Sequence, residues 1–280
     1  MIPLGSKGGA EAENPSDEIK LIIRCDDLGF CHSANLAFEK VYKEGIMTSA
    51  EIMVPPPWFD EAVEIARKNP KLDLGLHLVL TSEWRFYSWG PILPVTEVPS
   101  LVDTDGHFFP SKHSFLAARP KLAEVEKELR AQIELALKKG VNISHLSSHM
   151  RAAKFTPKLK AITKKLSEEY KLPISGDVGE KRGEWSPTYD VPPLKKEKIL
   201  ADVLKKLTPG LWMIGNHPGL NTPEMRAMKT VFPDELKHVA AHRAAETKAL
   251  TSKGIKRIIK SRKIKLVSYR DIRTERAKSR

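Results

Sequence analysis

From residue 19 to about residue 270, short apolar runs alternate with stretches of helical period, and this rhythm limits the fold more than any other feature of the chain. The expected strands are Lys20–Cys25, Thr48–Val54, Leu72–Leu80, Asn142–His149, Leu172–Gly176, Leu211–Asn216 and Lys263–Ser268. Helical patterns fall between them, at about Ser33–Glu44, Trp58–Lys68, Lys121–Lys139, Pro157–Tyr170 and Pro233–Lys253. The clearest is Lys121–Lys139: Leu122, Val125, Leu129, Ile133 and Leu137 keep the spacing of one helix face, and Gly140 supplies a stop. Such alternation argues for βαβ units with right-handed crossovers and a parallel sheet. About seven parallel strands predict an α/β fold, a deformed and incomplete TIM-like (β/α) barrel. A chain of 280 residues suits one such domain over 19–272. A polar leader at 1–18 is expected before it and a basic C-terminal tail at 273–280 after it.

Two connections break the rhythm. Thr81–Pro120 carries Trp84, Phe86, Tyr87, Trp89, Phe108 and Phe109, and Gly176–Leu194 carries Trp185, Tyr189 and a Pro-Pro pair. Loops of this length in a compact domain are usually functional, and these leave the C-terminal ends of strands. Their aromatic side chains are expected either to stack on a sugar face or to form a small core of the loop. Charge gathers elsewhere: residues 253–280 hold 12 Lys/Arg against 2 Asp/Glu, a net +10 of the whole chain's +12. That run reads as a solvated helix with a frayed end, or as a surface for an anionic partner. No aromatic ladder or nucleic-acid motif interleaves with it, so nucleic acid is not an expected partner. No run approaches the roughly 18 apolar residues of a membrane span. The leader has no apolar signal core, which fits a cytoplasmic protein, or a periplasmic or secreted one whose signal peptide lies outside this sequence. Cys25 and Cys31, six apart, are expected as free thiols. A homodimer is compatible with the sequence.

The strand candidates carry chemistry at their ends. Leu21-Ile22-Ile23-Arg24-Cys25 runs into two adjacent carboxylates, Asp26 and Asp27. Consecutive strand residues point opposite ways, so one carboxylate is expected to hold a metal and its neighbour to work as a base. In Leu72–Leu80 the leucines share one face, and Asp73, Gly75, His77 and Val79 share the other. The leucine face is expected against outer helices and His77 toward the interior, with Gly75 leaving room beneath it. In Asn142–His149, the residues His145, Ser147 and His149 alternate onto one face. His149 is last, at the mouth, and reads as a ligand; His145 lies one layer deeper as support or core. One carboxylate with two imidazoles suits Zn²⁺, and Mg²⁺ or Mn²⁺ less exclusively. His217 follows another strand and precedes a Pro-Gly turn that would fix its ring, a place for a general acid. Arg243 and Glu246, i,i+3 on the last long helix, read by default as a surface ion pair. Acids and histidines converging at strand ends are how barrel enzymes build active sites, and the set points to a metal-dependent hydrolase.

In order along the chain stand Cys25-Asp26-Asp27-Leu28-Gly29, Ala34-Asn35, Gly45-Ile46-Met47-Thr48-Ser49 and Gly75-Leu76-His77-Leu78-Val79-Leu80-Thr81. Then come Leu101-Val102-Asp103 with Asp105-Gly106, Glu128-Leu129-Arg130-Ala131-Gln132-Ile133, Ser144-His145-Leu146-Ser147-Ser148-His149, His217-Pro218-Gly219, and Arg243 with Glu246. The series resembles that of the YdjC-like (ChbG/HpnK) carbohydrate deacetylases, relatives of NodB-type polysaccharide deacetylases, from about Leu21 to Ile272. The resemblance implies a deformed (β/α) barrel and metal-dependent removal of an acetyl group from an N-acetylated sugar or oligosaccharide. By position it implies that Asp27, His77 and His149 hold a divalent metal ion, Mg²⁺ or Zn²⁺. It also implies Asp26 as the base and His217 as the acid. Arg243, Trp84 and Glu246 are expected on the substrate side. Three places depart from the family pattern. Ser147 stands for Asp, Met150 follows His149 where a polar residue or histidine is common, and Ser82-Glu83-Trp84-Arg85-Phe86-Tyr87 replaces a Gly/Pro-rich stretch. The competing readings are a metal-assisted hydrolase of another amide or ester, and a glycan-binding protein without activity. The amidohydrolase type opens with H-x-H on its first strand, where this chain has Asp26-Asp27.

Overall fold

The computed structural model describes residues 17–182, 186–232 and 238–278. Most of the expected leader, Trp185, the start of the Pro233–Lys253 helix and the last two residues of the tail lie outside the described residues. The first strand, β1 (Ile19–Leu28), is the spine of the fold. Its Leu21, Ile23 and Cys25 enter the main core, while Ile22 joins an interior cluster with Val178, Met213, Val267, Tyr269 and Ile272. A strand apolar on both faces is covered on both sides, as in parallel sheets.

The later strands are β2 (Ser49–Ile52), β3 (Leu74–Leu78), β4 (Trp84–Arg85), β5 (Ile143–Ser148), β6 (Gly210–Asn216), β7 (Lys229–Thr230) and β8 (Lys265–Leu266). Six of them form one parallel sheet in the order β5-β3-β2-β1-β6, with β8 paired to the start of β1. The expected Leu172–Gly176 strand is reduced to a bridge between Ile174 and Leu146. Pro173 cannot donate to a ladder, and Gly176 leaves the extended region with φ +102°. A second bridge joins Lys181 to Trp212 on β6, so one segment touches both outer strands without closing the barrel. The antiparallel pair β4–β7, outside this sheet, grows from the long aromatic loop and was not expected from sequence.

Ten helices among the described residues cover the sheet: α1 (His32–Glu44), α2 (Phe59–Lys68), α3 (Lys112–Ala117), α4 (Leu122–Lys138), α5 (Pro157–Glu169), α6 (Lys196–Lys206), α7 (Pro223–Ala227), α8 (Val239–Thr251), α9 (Lys253–Ser261) and α10 (Tyr269–Lys278). Helix α4 buries Val125, Leu129 and Ile133 as its spacing predicts, but Leu122 and Leu137 at its ends are exposed. A 17-residue helix is about 25 Å long and overhangs strands of about 20 Å. The expected Pro233–Lys253 helix ends at Thr251. Ser252 turns out of helical geometry (φ −63°, ψ 132°), and its hydroxyl caps α9 by accepting from Gly254 and Ile255. Helix α10 runs across the expected domain boundary at 272. No helix among the described residues is long and apolar enough to cross a membrane.

Candidate active site

Strand alternation stacks the interior in layers. On β1, Ile22 lies in the apolar floor, Arg24 above it and Asp26 at the mouth. Register extends each layer sideways: Asp26 pairs with Glu51, Glu51 with Gly75, Gly75 with His145, and His77 with Ser147. The five leucines from Leu72 to Leu80 are all buried on the other side, as expected.

Asp26 and Asp27 do not diverge as plain alternation predicts. The β1–β2 register slips between Asp26 and Leu28, and Asp27 takes φ +80°. This is a bulge, which inserts one residue and re-aims a side chain. Both carboxylates therefore turn to the mouth, with His77 Nε2 3.8 Å from an Asp26 oxygen and 3.7 Å from Asp27 Oδ1. The left-handed backbone costs about 1–3 kcal/mol in a non-glycine residue, least in Asp or Asn.

Asp27, His77 and His149 each offer a ligand atom, and the three atoms lie within 4.8 Å of one another. His149 Nδ1 is 3.3 Å from Asp27 Oδ1. That oxygen is buried and accepts no well-aligned hydrogen bond among the described residues; the His149 ring approaches it as an ion-pair partner. Its partner Oδ2 accepts from Arg243 at 2.6 Å. Burial opposes the charge on Asp27, but Arg243 and His149 outweigh it and hold the carboxyl well below its usual range. Each imidazole is gripped through its other nitrogen, His77 Nδ1 by Ser147 Oγ at 2.6 Å and His149 Nε2 by Glu83 at 2.9 Å. Burial, with His149 nearby, pulls His77 down to about 3 and leaves it neutral. His149 goes to about 10, because Glu83 and Asp27 overcome its burial. The donor set, one carboxylate oxygen with two ring nitrogens around an unsatisfied buried atom, fits a divalent cation of the zinc type.

Beside the cluster, Arg24 grips Asp26 with two hydrogen bonds, 2.8 and 2.7 Å, and reaches Ser175 Oγ with a third at 2.8 Å. Burial nonetheless raises the Asp26 carboxyl above its usual value, against the pull of Arg24. His217 sits across the cavity with its ring edge against Tyr189, 5.1 Å between centroids. Its backbone N–H donates to Glu246 at 2.5 Å, and burial lowers its imidazole. His145 is fully buried, 2.7 Å from Glu51 and stacked on Tyr269.

Arg243 and Glu246 are not a surface pair. Both are buried on the inner side of α8, where Arg243 takes Asp27 and Glu246 takes Lys196 at 3.0 Å. Lys196 also holds the backbone carbonyls of Thr188 and Tyr189. The aromatic loop forms its own core: Trp84 lies 4.6 Å from Phe30 and under the Arg243 guanidinium, and Trp89 and Phe108 are buried with it. Phe86 alone of that group is almost fully exposed.

All eight residues brought forward by sequence (Asp26, Asp27, His77, Trp84, His149, His217, Arg243 and Glu246) line one cavity of about 640 Å³. Arg24, Glu51, Glu83 and Lys196 were missed. Arg24 and Glu51 left a signal, since each is a charge inside an otherwise apolar strand. Glu83 and Lys196 left none.

An acid–histidine cluster at the C-terminal edge of a parallel α/β sheet lies where such folds place their active sites. The chain belongs to the YdjC-like protein family, whose profile matches residues 20–261. It is 30% identical over 265 residues to a carbohydrate deacetylase of Listeria monocytogenes, an alignment covering 91% of this chain and 100% of that one. It is 36% identical over 157 residues to a carbohydrate deacetylase of Brevibacillus brevis, covering 56% of this chain and 58% of the relative. Among solved structures it resembles an Enterococcus faecalis protein provisionally assigned to cellobiose-phosphate cleavage. That match has a TM-score of 0.72 and 27% identity, over 90% of this chain and 98% of the other.

Proposed function

We propose that the protein is a metal-dependent carbohydrate deacetylase that hydrolyses the acetamide of an N-acetylated sugar to acetate and a free amine. The observation that carries this reading is the unsatisfied Asp27 oxygen, gathered with two imidazole nitrogens beside a second, arginine-held carboxylate. Curated relatives named as carbohydrate deacetylases support the substrate class. Asp27, His77 and His149 would hold the ion, with Zn²⁺ favoured by the nitrogen-rich set and Mg²⁺ the second choice. Bound there, the ion supplies positive charge that polarises the amide carbonyl.

The chain's own residues do the rest. Asp26, fixed by Arg24, takes a proton from the water that attacks the carbonyl carbon. The C–N bond breaks as the amine nitrogen receives a proton from His217. Glu246 serves that step by anchoring the His217 backbone, while Trp84 packs under Arg243, which steadies Asp27 as a ligand. Asp26 works unprotonated and His217 works protonated, yet burial raises the first and lowers the second. The two working forms therefore coexist over a narrow pH window. Turnover rises with pH as Asp26 ionises and falls as His217 loses its proton. Nothing among the described residues supports a homodimer, and one chain carries the whole site.

The test is acetate release from N-acetylated sugars by protein stripped of metal and resupplied with Zn²⁺ or Mg²⁺. Metal-restored release is expected. Stoichiometric metal with no release from any N-acetylated sugar would overturn the substrate class, and absence of metal binding would overturn the ligand set.

A further inference from the structure

The His77 ring has two nitrogens, and the one that carries the proton decides whether the other can bind a cation. Nε2 faces the cluster, 3.7 Å from Asp27 Oδ1, while Nδ1 lies 2.6 Å from the Ser147 hydroxyl. Ser147 in turn makes a short hydrogen bond to Glu51 Oε2. An ionised carboxylate only accepts, so the hydroxyl proton goes to Glu51. The Ser147 oxygen then presents lone pairs to Nδ1, which must bear the ring's proton. Nε2 keeps its lone pair for the cluster.

Packing shows why a carboxylate can sit there. Glu51 Oε1 is held on its other side by His145 Nε2 at 2.7 Å. Register places Gly75 between Glu51 and His145. A Cβ at position 75 would collide with both the Glu51 carboxylate and the His145 ring. A missing side chain on β3, a short hydroxyl on β5 and a carboxylate on β2 thus fit one another. The departure from Asp at Ser147 coincides with a carboxylate arriving from β2, across β3, where Gly75 leaves it room.

We propose that Glu51, acting through the Ser147 hydroxyl, is a positioning residue that sets the Nδ1–H tautomer and the direction of the His77 ring. The proposal rests on the reading of His77 as a ligand, and its first test does not require metal. Long-range ¹H–¹⁵N spectra of metal-free wild-type protein labelled in histidine are expected to show His77 protonated at Nδ1; protonation at Nε2 would overturn the proposal. Ser147→Ala and Glu51→Gln are each expected to weaken Zn²⁺ binding by about 10–100-fold in competition with a chromophoric chelator. The double variant should be no worse than the weaker-binding single, because both break one relay, and Ser147→Thr should restore affinity. Unchanged affinity in variants with wild-type near-UV dichroism, or losses that add in full, would overturn it. Should a variant fail to fold, the wild-type tautomer still decides. Wild-type protein that binds no metal would overturn the ligand reading instead, a failure that the tautomer measurement does not share.

Discussion

At the mouth of the sheet, Asp27 keeps a buried oxygen that accepts no well-aligned hydrogen bond among the described residues, with two imidazoles turned toward it. At the opposite end, where the basic C-terminal run begins, guanidinium groups meet backbone carbonyls instead. Arg262 caps the end of α6 through the carbonyls of Leu204, Lys205 and Leu207. Arg270 and Arg273 hold those of Asn142 and Ser144, and Arg276 that of Val178. Most basic side chains of the run are exposed, as expected of a solvated helix, but four of its arginines also clamp backbone carbonyls at this end of the sheet. Both ends concentrate charge, and each leaves a buried carboxylate oxygen without a hydrogen bond among the described residues, Asp27 Oδ1 at the mouth and Asp73 Oδ1 at the floor; of the two, it is Asp27 Oδ1 that has two imidazole nitrogens gathered beside it. Convergence on an unsatisfied atom, rather than charge density, separates a site from a scaffold.

The sharpest way to break this contrast is Asp27→Ala. Zn²⁺ affinity should fall by more than about 100-fold, beyond the loss typical of outer ligand-supporting groups, with turnover lost alongside. Unchanged metal content by elemental analysis would remove Asp27 from the ligands. Asp26→Asn should keep metal and lower kcat by about 10²–10⁴-fold; a fully active variant would end its role as base.

The paired histidines make a prediction in pH. His77 falls to about 3 on folding from an ordinary 6.5. Metal-free protein should thus lose stability as pH drops from 6.5 toward 3, where only the unfolded chain readily takes that proton. His149 rises to about 10 from 6.5, so its contribution is complete below 6.5 and lost as pH climbs toward 10. Urea melts across pH would show both limbs, and His149→Ala should flatten the alkaline one. An alkaline limb unaffected by that change would discard the pairing of His149 with Glu83 and Asp27.

At the scaffold end, Arg262→Ala should cost about 1–3 kcal/mol of stability through the uncapped carbonyls of α6, with kcat unchanged. A loss of turnover at unchanged stability would blur the distinction between the two ends. Phe86→Ala should be the mildest change, within about 0.5 kcal/mol, since that ring is 92% exposed. A large rise in KM would instead bring Phe86 into sugar binding.

Much of the site was legible in residues 19–270 because strand alternation assigns faces locally. His77, His149 and Asp26 could be placed at strand ends from sequence alone, and the leucine face of β3 with them. The bulge at Asp27 was not legible: plain alternation sends the two carboxylates apart, and only the β1–β2 register inserts the extra residue that brings them together. The default reading of Arg243 and Glu246 as a surface pair failed for a related reason, whereas the family resemblance places both on the substrate side, and both line the cavity. Spacing on a helix says which residues neighbour each other, not which face the sheet covers, and α8 turns both inward. The aromatic loop stood open between two outcomes, and Trp84 shares in both, packed on Phe30 and lining the cavity.

The sequence by itself determined the parallel α/β architecture, the strands whose ends carry acids and histidines and the kind of chemistry such ends can hold, because apolar period and residue type act over a few neighbours. The tertiary structure decided which groups are partners: Arg24 with Asp26, Glu83 with His149, Arg243 with Asp27, Lys196 with Glu246 and Glu51 with Ser147. Most of these pairs join residues dozens to hundreds of positions apart, and even Arg24 and Asp26 meet only because their strand is buried. Register and burial create such contacts, and neither is written in any local stretch of the chain.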